Sequence, residues 1–219
     1  MKNSLALVVN LTPTCTELAR HLVLSGININ LIDDGSKVIE QSDVDSDFLF
    51  SAGDIGAKVS ISLPFYKKNS VFQRSEIVKR QLSEMNPFVK IEFEDDVESC
   101  LKKSRDGFFI SAVICGFKNW DSARKLNEQV RTLTNGATAF YCVNSSGLYG
   151  FALADLGLNF EYQYASSDPD KKDQMLNEKI TDSVTMTEFF DTVLDQSKPL
   201  GWKKRARNST KMLLSAFVC

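Results

Sequence analysis

"LALVVNLTPTCTELARHLVLSGININLIDDG", residues 5–35, predicts a strand, a helix and a second strand in succession. Leu5–Val9 is a continuous apolar run, which is typical of a buried strand. Thr14 and Glu17 have the spacing of a capping box, so a helix is expected to begin there. Ile27–Ile32 is the second apolar run. A strand, a helix and a strand in this order indicate an α/β protein with a parallel sheet.

In nucleotide-binding proteins of this layout, the turn after the first strand carries a Gly-x-Gly-x-x-Gly loop. Here that turn contains no glycine, and its residues are Asn10, Leu11, Thr12, Pro13, Thr14 and Cys15. Pro13 has no N–H to donate, and the Cβ atoms around it crowd an approaching phosphate. Asp33, at the end of the second strand, has the position of a ribose-binding carboxylate. Asp33 and Asp34 also fit the start of an ordinary polar turn.

The composition is that of a globular protein without a strong charge field. The 219 residues are 43% hydrophobic and 25% charged, with a net charge of −2. This balance argues against nucleic-acid binding driven by a basic surface. No apolar run reaches the roughly 18–20 residues that span a bilayer. We expect neither nucleic-acid nor membrane partners.

The cysteines predict packed thiols. They lie at positions 15, 100, 115, 142 and 219, no two form a CxxC pair, and His21 is the one histidine. Neither a zinc site nor a disulfide framework is indicated. Cys115 and Cys142 lie on apolar runs without a nearby cation to stabilise a thiolate. We therefore expect no metal and no catalytic residue in this chain, and a reducing compartment, the cytoplasm or the nucleus.

The rest of the sequence continues the alternation of strands and helices. Helices are predicted over residues 75–85, 97–103, 119–133 and 188–194, with a last one from about Gly201. Strands are predicted over residues 89–93, 108–115, 137–143, 151–156 and 183–186. Residues 36–60 read as irregular, 145–150 as a glycine-bounded turn and 166–180 as a polar loop. The expected fold is one α/β Rossmann-like domain over residues 1–219. Its mostly parallel sheet has helices on both faces, and a C-terminal segment, 181–219, packs back on the domain.

Four stretches resemble one enzyme family. SDVDSDFLFSAGDIG, residues 42–56, is similar to the Ser-Asn-Leu-Asn-Arg-Gln-Phe-Leu-Phe segment of the ThiF-like adenylating enzymes, which include the activating enzymes for ubiquitin and ubiquitin-like modifiers. MNPFVKIEFE (85–94), LNEQV (126–130) and SSGLYGFALADLG (145–157) match further family stretches in the same order. Residues 182–217 resemble the end of the non-catalytic subunit of the SUMO-activating enzyme. The resemblance implies an inactive ThiF-type adenylation domain, a pseudoenzyme.

The resemblance also implies that the ATP site has been lost. Ser46 matches the family's phosphate-binding Arg, and the three aspartates within Asp43–Asp47 would repel a triphosphate. Val59 matches a family Lys, and Lys118 matches the Asp that binds magnesium, which a cation cannot do. The degenerate nucleotide-site positions are then Asn10, Pro13, Cys15, Asp33, Ser46, Val59 and Lys118.

By the same resemblance, the chain is the non-catalytic subunit of a heterodimeric activating enzyme for a ubiquitin-like protein, with SUMO as the first choice. ATP and magnesium would belong to the partner, a catalytic subunit, and the expected interface is Phe48, Gly147, Leu148, Tyr149 and Gly150. One alternative is the inactive N-terminal half of a ubiquitin-activating enzyme. Another is a stand-alone Rossmann-fold oxidoreductase or scaffold.

Overall fold

A computed structural model describes residues 5–33, 39–55, 74–103, 109–117, 119–165 and 175–194. Its helices are α1 (Pro13–Leu24), α2 (Gln41–Ser46), α3 (Arg74–Met85), α4 (Val97–Lys103), α5 (Trp120–Thr134) and α6 (Met186–Leu194). Its strands are β1 (Leu5–Val9), β2 (Asn28–Ile32), β3 (Ile91–Phe93), β4 (Ile110–Gly116), β5 (Ala139–Ser146), β6 (Tyr149–Asp155), β7 (Leu158–Ala165) and β8 (Met175–Asp182). A short 3-10 turn spans Ala52–Asp54.

Six strands form one sheet in the order β3-β2-β1-β4-β5-β6. The first five are parallel to their neighbours, and β6 runs antiparallel to β5. The chain therefore moves outward from β1 to β3, then crosses back to β4 on the other side of β1. The predicted α/β Rossmann-like fold with a mostly parallel sheet is confirmed. The reversal of strand order between β1 and β4 is the point at which such sheets bind ligands.

Two cores lie on opposite faces of this sheet. Ala6 and Val8 of β1 belong to the core beneath α1 and α3. Leu7 and Val9 belong to the core beneath α4, α5 and α6. Since side chains alternate along a strand, a strand covered on both faces must be apolar at every position. This is why Leu5–Val9 reads as an unbroken apolar run, and it confirms that helices cover both faces.

Three local predictions were wrong. Within the predicted loop 166–180, residues from Met175 onward form β8, which pairs antiparallel with β7. Both faces of this hairpin are largely exposed, so its sequence lacks the apolar alternation that marks a strand. The predicted strand 183–186 is the connection into α6, where Glu188 accepts hydrogen bonds from the N–H and hydroxyl of Thr185. The irregular stretch 36–60 contains α2, a six-residue helix whose one apolar residue, Val44, packs against the core, too short a pattern to mark a helix.

Asp155, the last residue of β6, ties the hairpin to the main sheet. Its carboxylate is buried and accepts hydrogen bonds from Arg131, from Asn127 Nδ2 at 2.8 Å and from the Gly157 N–H at 3.0 Å. Arg131 also donates to the Ser183 carbonyl at 2.6 Å. This cluster fixes the ends of β6 and β8 against α5.

Candidate functional site

The crevice between the carboxyl ends of β1 and β4 is the place for a nucleotide in this topology. Here the side chain of Asn10 crosses it. Asn10 Nδ2 donates to the carbonyl oxygen of Gly116, at the end of β4, over 2.8 Å. The Asn10 backbone has φ 61°, a left-handed conformation that asparagine tolerates better than most residues. The residue that replaces a glycine of the expected loop therefore closes the crevice.

The N-terminus of α1 is also poorly equipped to bind a phosphate. Helix N-termini attract anions through the free N–H groups of their first turn. In this helix the N–H of Cys15 donates to the hydroxyl of Thr12, and the N–H of Thr16 donates to the Thr12 carbonyl at 2.9 Å. Pro13 has no N–H at all. Because Thr12 accepts from the N–H groups of Cys15 and Thr16, few N–H groups of the first turn remain for a ligand.

Cys15 packs into this closed turn as a neutral thiol. Burial raises its pKa to about 11, despite a hydrogen bond from Thr12 that acts in the opposite direction. Burial also raises the pKa of Cys115 to about 12 and raises that of Cys142. A thiolate is the nucleophilic form of cysteine, so these side chains are unsuited to thioester chemistry. The prediction of packed free thiols is confirmed for Cys15, Cys100, Cys115 and Cys142.

Gly116 shows how tightly the turn is packed against β4. A Cβ atom built there would lie 2.5 Å from Thr12 Oγ1, 2.7 Å from the Asn10 carbonyl oxygen and 2.9 Å from Cys15 Sγ. All three distances are shorter than real Cβ contacts. The glycine at this position serves contact between two protein segments, and it leaves no room for a phosphate.

The substitution Gly116→Ala is therefore expected to destabilise the protein by about 2 kcal/mol, since the added methyl overpacks the turn. Urea unfolding followed by circular dichroism measures this. Gly150→Ala is the matched control, because a Cβ there meets nothing closer than the Asn144 carbonyl oxygen at 3.9 Å. Equal unfolding midpoints for the two variants would show that the turn is not closed against β4.

Asp33 contacts the same turn. Its Oδ1 accepts a hydrogen bond from the N–H of Leu11 at 3.1 Å. Its Oδ2 is buried and has no hydrogen-bond partner. The carboxylate thus links the end of β2 to the turn after β1, which is a structural use of the position expected to hold a ribose.

Two aspartates on and after α2 lie close to Arg74, a buried cation that no sequence pattern predicts. Arg74, at the start of α3, is buried and places Nη1 2.7 Å from Asp43 Oδ1 and Nη2 4.0 Å from Asp47 Oδ2. Thr16 donates its hydroxyl to Asp47 Oδ2 at 2.6 Å. The expected repulsion between three carboxylates and a triphosphate needs correction, because Arg74 offsets two of them.

Ser46, which stands at the expected phosphate-binding position, is engaged within its own helix. Its hydroxyl donates to the Ser42 carbonyl at 2.7 Å. Burial raises the pKa of Asp47, while its bonds from Thr16 and the Leu49 N–H and the charge of Arg74 lower it. The bonds from Thr16 to Asp47 and from Arg74 to Asp43 hold α2 and α3 against α1, while Arg74 Nε and Nη2 are buried without a hydrogen-bond partner. Val59 and Lys118 lie outside the described residues.

The expected interface residues are exposed. Phe48 is 54% exposed, with the guanidinium of Arg20 5.4 Å from its ring centre. Leu148 is fully exposed and Tyr149 about half exposed at the tip of the β5–β6 hairpin. Gly147, with φ +56°, forms the turn, and Gly150 pairs with Ser145. Beyond Val143, which pairs with the last residue of β4, this hairpin extends past the sheet.

At the switch point, Asn10, Thr12 and Cys15 pack against Gly116, where a glycine loop would leave room for ATP or NAD. Among the described residues, no group of three or more His, Cys, Asp or Glu side chains is placed to hold a metal ion. Over the same ranges, no helix has the length and apolar character to cross a bilayer. The region presents a closely packed turn beside an exposed apolar hairpin tip.

Two yeast proteins are similar to this chain in sequence. The DNA damage tolerance protein rad31 of Schizosaccharomyces pombe is 31% identical over 156 residues, which is 71% of this chain and 44% of that protein. The DNA damage tolerance protein RHC31 of Saccharomyces cerevisiae is 25% identical over 158 residues, 71% of this chain and 39% of that protein. The chain thus spans less than half the length of these relatives. No family model matches it.

Two solved structures are similar in outline. PaaA has a TM-score of 0.47 at 16% identity, covering 66% of this chain and 41% of PaaA. MccB of Escherichia coli with ATP also has a TM-score of 0.47 at 16% identity, covering 65% of this chain and 37% of MccB. Such low scores carry no argument about activity. The fold assignment depends on the strand order and register described above.

Proposed function

We propose that this chain is the non-catalytic half of a heterodimeric activating enzyme for a ubiquitin-like protein, with SUMO as the modifier. The observation that carries the proposal is the closed crevice on an otherwise regular Rossmann-like sheet. The strand order of a nucleotide-binding domain is kept, while Asn10 and Thr12 fill the nucleotide's place. A subunit that keeps the fold but lacks a nucleotide site can serve in a heterodimer whose other subunit carries out the catalysis.

The sequence supports the activating-enzyme assignment at separate places. Residues 42–56 and 182–217 resemble segments of such enzymes, and two yeast relatives are named for DNA damage tolerance. We propose that this chain also serves DNA damage tolerance, and that it acts in the nucleus and cytoplasm. We assign ATP and magnesium to the catalytic partner, and the packing of Asn10 and Thr12 against Gly116 supports this assignment.

The decisive experiment mixes this chain with the catalytic SUMO-activating subunit of the same organism. The readouts are complex formation and modifier-dependent ATP–pyrophosphate exchange, each compared with the partner alone. We expect a complex, increased exchange with SUMO but not with ubiquitin, and no ATP binding by this chain alone in calorimetry. Exchange with ubiquitin instead would reassign the modifier. A failure to form any complex would contradict the proposal.

A pair of exposed apolar residues tests where the partner binds. Leu148→Asp, at the tip of the β5–β6 hairpin, is expected to weaken the complex by about tenfold or more, since a charge there replaces an apolar contact. Phe88→Asp is the matched control, because Phe88 is equally exposed but lies before β3, at the opposite end of the parallel sheet. Dissociation constants from titration calorimetry measure both. Equal weakening by the two variants would place the interface elsewhere.

A further inference from the structure

One face of the sheet lacks a helix over β5 and β6 within the described residues. It is the face that carries α1 and α3. The side chains and glycine that these strands present there are Tyr141, Val143, Ser145, Gly150, Ala152 and Ala154. On the opposite face the same strands are covered, and Phe140 and Cys142 are buried beneath α5 and α6.

This open face has the composition of a covered one. An antiparallel pair that faces water normally carries polar side chains on that side. Here no charged side chain is present, and Ala152 and Ala154 are exposed. Their small size lets another element approach the strands closely. In the sheet formed by the described residues β6 is also the edge strand, and its sequence YGFALAD has neither Lys nor Pro to protect the edge.

A ridge of α1 forms one wall of the resulting groove. Thr14, Leu18 and Leu22 are spaced four residues apart and therefore share one side of the helix. Thr14 Oγ1 lies 2.7 Å from Ser145 Oγ, so this side faces β5. Leu18 and Leu22 are only partly buried. The groove thus has an apolar wall as well as an apolar floor.

The floor has the size of one helix. Two strands of five residues cover about 10 Å by 17 Å, given strand spacings near 4.8 Å and a rise near 3.4 Å per residue. An α-helix is about 10 Å wide with its side chains, and about 11 residues span 17 Å. A stable subunit interface needs roughly 800 Å² on each side, several times this floor. The floor by itself therefore has the size of a single helix and is too small to be a whole subunit interface.

We propose that residues 202–217 of this same chain dock in the groove as that helix. Their sequence, WKKRARNSTKMLLSAF, places Trp202, Ala206, Leu213 and Phe217 on one helical stripe. The uncharged groove accepts this stripe, while Lys204 and Arg207, on the opposite side of the helix, turn toward solvent.

The length of the chain permits this path. α6 ends at Leu194 and lies over β6 on the opposite face, where the Phe151 and Phe189 rings are 6.2 Å apart. Because β6 is the edge strand, the chain has only one strand to pass around. The seven residues 195–201 reach about 23 Å when extended, which exceeds the roughly 10 Å between packed layers.

Photocrosslinking in the full chain tests this placement. Benzoylphenylalanine at position 154 is expected to crosslink, within one molecule, to a peptide inside 202–217. The matched control places the same group at position 146, which is exposed on the same hairpin but on the other face, and no such crosslink is expected. A crosslink from position 154 between two chains, to another segment, or to none would overturn the proposal.

A second measurement avoids the inserted group. The double substitution Leu213→Asp and Phe217→Asp in the full chain is expected to release the segment and raise hydroxyl-radical oxidation of Tyr141 severalfold. Tyr162 and Tyr164, exposed on β7, serve as internal controls and should not change. An unchanged oxidation rate at Tyr141 would show that the segment does not cover the groove.

Discussion

The substitution Asp155→Ala is expected to lower the free energy of unfolding by about 3–5 kcal/mol, as breaking a buried ion pair does. Asp155 is only 2% exposed, and its two oxygens accept from Arg131, Asn127 and the Gly157 N–H. The alanine variant removes the charge that offsets Arg131. It also leaves the amide of Asn127 and the N–H of Gly157 buried without their acceptor, which adds a desolvation cost.

Urea unfolding measures this loss, and an exposed ion pair supplies the control. Glu161 Oε1 lies 3.6 Å from Lys179 Nζ across the β7–β8 hairpin, with both side chains largely in solvent. Glu161→Ala is expected to cost less than about 0.5 kcal/mol, as exposed pairs do. If both variants unfold at the same urea concentration, the buried carboxylate does not hold β6 against α5.

The hydrogen-bond cluster around Asp155 could not be predicted from the sequence. LNEQV and ADLG lie in stretches that resemble the family, yet nothing in them marks Asn127 and Asp155 as partners. The two residues are 28 positions apart, and they meet because α5 packs over the end of β6. An acidic residue becomes buried only when tertiary structure supplies its donors, so the sequence alone predicts it as exposed.

Elements with a strong local pattern were predictable. Leu5–Val9 and Val97–Lys103 were predicted at the bounds observed, since a doubly covered strand and a short amphipathic turn each have a local signal. The hairpin β7–β8 has little burial on either face and therefore no such signal. The crevice was located from the first strand and helix. The missing glycines of its loop are visible in the sequence. The bond from Asn10 to Gly116 is not, because the two residues are 106 positions apart.

Arg74 illustrates the same limit for charge. The aspartates of α2 suggested repulsion, but their field depends on a guanidinium that the fold brings from α3, 31 positions beyond Asp43. The sequence gives the number of charged residues, but it does not show which of them are neighbours over such separations. The proposal that this chain binds no nucleotide does not depend on these charges, because it is argued from the positions of Asn10 and Thr12.

The substitution Gly157→Ala is expected to destabilise the protein by about 4 kcal/mol, at the upper end of single-residue effects. Gly157 has φ +76°, which disfavours any residue with a Cβ. A Cβ there would also lie 2.1 Å from the carbonyl oxygen of Gly136, a backbone atom that cannot rotate away. That carbonyl already accepts the N–H of Leu158 at 2.8 Å, so relief of the clash would break the junction between α5 and the hairpin.

A second glycine with positive φ allows the cost of the left-handed backbone to be measured without a steric clash. Gly26, after α1, has φ +80° and nothing within 4 Å of a built Cβ. Gly26→Ala therefore carries only the cost of left-handed backbone, about 1–2 kcal/mol. Paired urea titrations give the difference between the two variants, which is the energy of the close approach at Gly136. If that difference is zero, the backbones at 136 and 157 are not in close contact, and the bonds of Asp155 and Ser183 hold the hairpin to the sheet without it.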